Sequence, residues 1–132
     1  MPALSSGWYL VIADKTQAIL DVYGELPPNA LMVELADLGL GNGGERIRWQ
    51  DINGQAVNEV EYNDKAPWPT EPDGHGPSLE LRDPSLDNSL AASWDASLGF
   101  GTPGWSNDVP EPCACALALL CAYAFTRRRL RT

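Results

Sequence analysis

Arg46-Ile47-Arg48-Trp49-Gln50-Asp51-Ile52-Asn53-Gly54-Gln55-Ala56-Val57-Asn58-Glu59-Val60-Glu61-Tyr62 reads as two strands and the turn between them. Ile47 and Trp49 face one way while Arg46, Arg48 and Gln50 face the other, the period of two that a pleated strand imposes. Asn53-Gly54 is a hairpin signal, because both residues tolerate positive φ. Beyond the turn, Ala56, Val60 and Tyr62 fall on one face and Glu59 and Glu61 on the other.

The same rhythm extends outward from this hairpin. Trp8-Tyr9-Leu10-Val11-Ile12-Ala13 is apolar on both faces and suits a buried strand. Gln17 to Tyr23 alternates, with Ala18, Leu20 and Val22 on one side, and is read as a further strand. Pro27-Pro28-Asn29 interrupts, after which Leu31, Val33 and Leu35 again sit two apart, before a glycine-rich break at residues 39–44. Downstream, Ser78-Leu79-Glu80-Leu81-Arg82 alternates without exception. Six short strands of period two predict an all-β fold, an antiparallel sandwich rather than a helical or α/β one. Trp8, Trp49 and Trp94 fit core positions of such a sandwich. Residues 83–109 read as irregular, with Trp94, Phe100 and Trp105 available to anchor them over the sheets.

A chain of 132 residues holds one domain with a modest core, and 12 Gly and 11 Pro imply frequent turns. All 18 acidic residues lie at or before Glu111 against five basic ones, a formal balance of −13, and four arginines follow. An acidic body repels a phosphate backbone, which argues against a nucleic-acid partner. The three cysteines, Cys113, Cys115 and Cys121, all fall near the C-terminus, so no disulfide framework supports the body.

Residues 76–84, then Asp87-Asn88, residues 92–97, Gly101-Thr102-Pro103-Gly104 and Asn107 resemble, as an ordered set, the C-terminal signature of lamin-tail domains. Gly7-Trp8-Tyr9-Leu10, the break at 39–46, Asp51-Ile52-Asn53-Gly54 before 57–62, and Trp68-Pro69 resemble the same family's middle portion. The likeness spans residues 5–107, and it implies an immunoglobulin-like antiparallel β-sandwich that serves adhesion or tethering in exported bacterial proteins. It carries no catalytic residues. The family opens with one or two strands ahead of the Gly-Trp-x-Leu step. Met1 lies only just before Gly7, so the resemblance implies an N-terminally truncated sandwich. Residues 1–5 likewise lack the charged and apolar regions of a secretory signal.

The C-terminus has a different character. Val109-Pro110-Glu111-Pro112 precedes thirteen residues, 113–125, of apolar or small character, then Thr126 and the arginines Arg127, Arg128, Arg129 and Arg131. The prolines end any preceding helix and the apolar run suits a short hydrophobic helix. Terminal arginines favour the cytoplasmic side of a membrane. Thirteen residues give about 20 Å of helix, against a hydrocarbon core of roughly 30 Å. Snorkelling arginines and local thinning close part of that gap. Residues 108–132 resemble the PEP-CTERM sorting signal of Gram-negative bacteria. This implies an exosortase as partner, passage through the inner membrane by residues 113–125, and delivery to the cell surface or extracellular matrix. Cys113, Cys115 and Cys121 read as small apolar fillers of that helix.

Few side chains of the body stand out chemically. His75, the single histidine, sits between two glycines and reads as a turn residue. Asp83, Asp87 and Asp95 supply oxygens of the kind calcium takes, but their spacing matches no EF-hand, and Asx-turns are the simpler reading. Calcium is therefore the sole cofactor in view, and no other metal site is expected. Trp68 and Trp105 are the aromatic residues suited to binding a ligand such as extracellular polysaccharide or a surface protein. The sequence thus predicts a non-catalytic, exported lamin-tail-like module. Its alternatives are a carbohydrate- or calcium-binding matrix module and the C-terminal fragment of a larger secreted hydrolase.

Overall fold

The structure, a computed structural model, describes residues 4–109. The expected tail helix, residues 113–125, and its arginines lie outside them. The described chain runs β1 (Tyr9–Ala13), α1 (Thr16–Tyr23), β2 (Ala30–Glu34), β3 (Arg46–Gln50), β4 (Ala56–Glu61), β5 (Leu79–Leu81), a 3-10 turn (Ala91–Ser93) and β6 (Trp94–Ala96). Strand dominates, at 25% against 10% helix, but the strands form three separate pairs rather than closed sheets.

The hairpin forms as its pattern requires. β3 and β4 pair antiparallel, with Arg46 opposite Glu61, Ile47 opposite Val60 and Arg48 opposite Glu59. The polar face is thereby a ladder of charge pairs. Arg46 meets Glu61 at 2.7 Å and Glu59 at 3.5 Å, and Arg48 meets Glu59 at 2.5 Å. The turn is held by Asp51, whose Oδ1 accepts the N–H groups of Asn53 at 2.8 Å and Gln55 at 2.9 Å.

Two corrections concern the first third of the chain. Residues 17–23 are not a strand but most of the helix α1, and β1 pairs with β2 in parallel, Tyr9 opposite Ala30 and Ala13 opposite Glu34. These corrections share one cause. Parallel strands require a crossover of a dozen or more residues, and α1 with its flanking loops provides it. Thr16, Ile19, Leu20 and Tyr23 share a helical face at the i, i+3, i+4, i+7 spacing, and this face is less exposed than Ala18 or Val22. Glu34, at the end of β2, receives the N–H and hydroxyl of Thr16 at 3.0 and 2.8 Å, tying the helix start to the sheet. Gly24 ends the helix at φ +73°, its N–H bonded to the Leu20 carbonyl.

The third pair, β5 with β6, is antiparallel and brings Leu81 opposite Trp94. β6 belongs to the stretch that pattern alone read as irregular. Packing is thin: among the described residues the buried apolar side chains are Val11, Ala13 and Pro27. Trp8 and Trp49, expected in a core, are 47% and 49% exposed, because no second sheet closes over their faces. Trp94, expected in the same core, is half-buried.

Candidate functional site

A groove of about 760 Å³ lies between β1 and β5, walled on its remaining side by residues 100–107. Consecutive residues of each strand line it, Tyr9 to Ile12 on one side and Ser78 to Asp83 on the other. Side chains alternate across a strand, so what the groove meets is each strand's edge and not one face. Ile19 and Tyr23 of α1 and Trp105 complete it with apolar surface.

The loop wall is fixed by one carboxylate. Glu80 is 7% exposed. Its Oε1 accepts the N–H and the hydroxyl of Thr102, each at 2.9 Å, and the Ser78 hydroxyl at 3.3 Å. Its Oε2 accepts the Asp108 N–H at 3.1 Å. Asn107 donates to the Leu81 carbonyl at 2.7 Å, and the Tyr23 hydroxyl donates to the Phe100 carbonyl at 2.6 Å. Gly101 sits at φ +102°, where a Cβ would fall 2.5 Å from the Ser78 hydroxyl, and the loop passes this close only as glycine. Nothing in the alternation of residues 78–82 marked Glu80 as this hub. The signal was Glu80 itself, an acid in the middle of a strand flanked by leucines on both sides.

A second cavity, of about 320 Å³, lies where the β3–β4 hairpin approaches Leu79 and Trp94. Tyr62 and Asp64 line it. The Tyr62 hydroxyl donates to the Gly41 carbonyl at 2.7 Å, and burial together with nearby Glu45 raises its pKa. Asp64 Oδ1 is buried without a hydrogen-bond partner among the described residues.

The residues singled out by sequence do not converge. Trp105 is 56% exposed on the rim of the β1–β5 groove. Trp68 lies elsewhere, half-buried and tilted at 46° against Trp94 with ring centroids 6.0 Å apart. The Trp94 indole N–H donates to the Asn88 carbonyl at 2.9 Å. Asp83 and Asp87 form the local turns that their spacing suggested. Asp83 Oδ1 accepts the Ser85 N–H at 2.8 Å and hydroxyl at 2.6 Å, and Asp87 Oδ1 does the same with Ser89 at 2.9 and 2.7 Å. Those serine bonds lower both carboxyl pKa values. Asp95 accepts the N–H of Ala96. No group of three acidic, histidine or cysteine side chains able to hold a metal occurs among the described residues.

His75 is exposed in a turn between Gly74 at φ +74° and Gly76 at φ +108°. Of the residues expected to form a sorting signal, Val109 is described and half-buried; Pro110, Glu111, Pro112 and Arg127, Arg128, Arg129 and Arg131 lie outside the described residues. Among the described residues no helix is long and apolar enough to cross a membrane.

Comparison with protein-family models, with curated proteins and with solved structures finds no match to this chain. The site presents main-chain donors and acceptors along two strand edges, with an aromatic rim and a loop wall braced from below.

Proposed function

We propose that this protein is a non-catalytic tethering module, exported and sorted by its C-terminal tail to the cell surface or extracellular matrix. One observation carries the reading. A body with a formal balance of −13 gives way, after Pro110-Glu111-Pro112, to thirteen apolar or small residues and then to four arginines. That order suits a polypeptide whose acidic part is delivered outward while its arginines stay at the cytoplasmic surface. An exosortase acting near the Pro-Glu-Pro step is the partner this arrangement calls for.

The finer architecture belongs to the same proposal. The lamin-tail resemblance of residues 76–107 implies an immunoglobulin-like sandwich, and the three strand pairs supply six strands toward it. The parallel β1–β2 pair with its crossover helix is a departure that such a sandwich has to accommodate. In support of a binding rather than catalytic role, the β1–β5 groove is lined by strand edges and aromatic rings.

The test is fractionation in a Gram-negative host that carries an exosortase. The intact chain is expected in the surface or matrix fraction, and a chain ending at Asp108 is expected to remain inside or in the periplasm. Equal surface delivery of both chains would refute the sorting role.

A further inference from the structure

We infer that the slot between β1 and β5 receives an extended peptide segment of another protein, alternating apolar and basic residues, as an added strand. The inference rests on the tethering reading for its biological sense, and on main-chain register, apolar cover and charge for its structure. In the β1–β2 ladder, the Tyr9 N–H donates to the Asn29 carbonyl and the Leu35 N–H donates to the Ala13 carbonyl. Residues 9, 11 and 13 therefore turn their main chain toward β2. With a period of two, Leu10 and Ile12 turn theirs the opposite way, into the groove.

The facing wall has the complementary pattern. The Arg82 N–H donates to the Ser93 carbonyl and the Ser97 N–H to the Ser78 carbonyl, so even-numbered residues of this strand face β6. Leu79 and Leu81 face away, into the same groove. The Leu81 carbonyl already accepts the Asn107 side chain, which among the described residues leaves the Leu79 N–H and carbonyl and the Leu81 N–H for a guest.

A strand laid between these edges would join the β1–β2 and β5–β6 pairs into one five-stranded sheet. Its main chain would be recognised from both sides, which is the mode by which peptides add to sheet edges. β1 spans five residues, about 17 Å of strand, so a guest of similar length fills the wall.

The guest's side chains follow from what flanks the slot. Leu10 and Ile12 share one face of β1, and Ile12, 38% exposed, offers apolar cover to alternate residues of the guest. The body's formal balance of −13 repels a second copy of itself and attracts a basic segment.

The test uses the full chain in nonionic detergent and a short synthetic peptide alternating lysine and valine, read by amide hydrogen exchange. Saturating peptide is expected to slow exchange at Leu10, Ile12 and Leu79 by at least about tenfold, the mark of newly formed ladder bonds. Tyr9 and Val11, bonded to β2 already, should not change. The same peptide methylated on alternate amide nitrogens should fail to bind, and a glutamate–valine version should bind at least about tenfold more weakly.

Unchanged exchange at those three amides would overturn the inference. So would equal protection by the methylated peptide, or equal binding of the glutamate version. Protection of Leu10 and Ile12 in a peptide-free dimer would assign the slot to a second copy instead. Competition by a neutral glucan at Trp105, with no peptide protection, would assign it to sugar. None of these results bears on tail-dependent sorting, so the two readings fail separately.

Discussion

Glu80, on β5, holds Thr102 by two hydrogen bonds to one carboxylate oxygen, the Thr102 N–H and hydroxyl both 2.9 Å from Oε1. With Asp108 N–H on the other oxygen, a single buried side chain positions both ends of the loop that walls the groove. Removing it leaves two main-chain N–H groups without their acceptor. Glu80→Ala is expected to destabilise the body by about 2–4 kcal/mol, and Glu80→Gln by less, since one oxygen acceptor survives. Urea denaturation measures the loss, and amide exchange at Thr102 and Asp108 should rise more than at Ala96.

Acid should release the two aspartate–serine turns only below the ordinary aspartate range. The Ser85 hydroxyl and N–H lower the Asp83 pKa, and those of Ser89 lower that of Asp87. A carboxyl whose folded pKa lies below its unfolded value stabilises the fold above the unfolded pKa. That contribution is lost as pH falls through the folded one. The window is thus below about pH 4, the ordinary aspartate value. Ser85→Ala and Ser89→Ala should move the respective pKa values upward in a carboxyl-resolved NMR titration while leaving stability at pH 7 little changed. A titration unmoved by either change would contradict the turn geometry.

Two glycines with positive φ separate strain from crowding. Gly54, at φ +79°, has nothing within 4 Å of an added Cβ, whereas at Gly44, φ +104°, a Cβ would fall against the Tyr62 carbonyl and 2.8 Å from the Asn63 Cα. Gly54→Ala should cost about 1–2 kcal/mol, the left-handed penalty alone. Gly44→Ala should cost at least about 2 kcal/mol more, because main chain has to shift. Equal denaturation midpoints for the two variants would contradict the close passage of the 39–46 loop over the end of β4.

Tryptophans divide by role. Trp94 packs against Trp68 and donates to the Asn88 carbonyl, so Trp94→Ala should cost about 2–4 kcal/mol and Trp94→Phe about 1–2 kcal/mol. Trp105, more than half exposed, should cost less than about 1 kcal/mol when changed to Ala. Thermal denaturation of the three variants checks the order, and a larger loss at Trp105 would mean it is structural and not a rim residue.

The hairpin was legible because several local signals agreed: opposite-face alternation in residues 46–50, the same alternation in residues 56–62, and Asn53-Gly54 between them. α1 was not, because Ala18, Leu20 and Val22 satisfy a period of two while Thr16, Ile19, Leu20 and Tyr23 satisfy a helical one. Eight residues are too few for either pattern to exclude the other. Gly24 and the doubly apolar run of β1 were the signals for helix end and parallel pairing.

The exposure of Trp8 and Trp49 was not readable from alternation, which gives a side chain's face but not whether another sheet covers it. Of the candidate site, Trp105 was legible, with Trp68, as an aromatic suited to a ligand, though only Trp105 lies at the groove. The strand edges beside it were not, since free main-chain groups depend on which strands pair and leave no trace in side-chain pattern.

The division between an acidic strand-rich body and an arginine-ended tail is tested most directly by the mass of the delivered protein. Intact-mass measurement of the polypeptide recovered from the surface of an exosortase-positive host should show a chain whose C-terminus lies near Pro110-Glu111-Pro112, with the arginines removed. Recovery of the full chain through Thr132, unprocessed and free in the cytoplasm of that host, would contradict it.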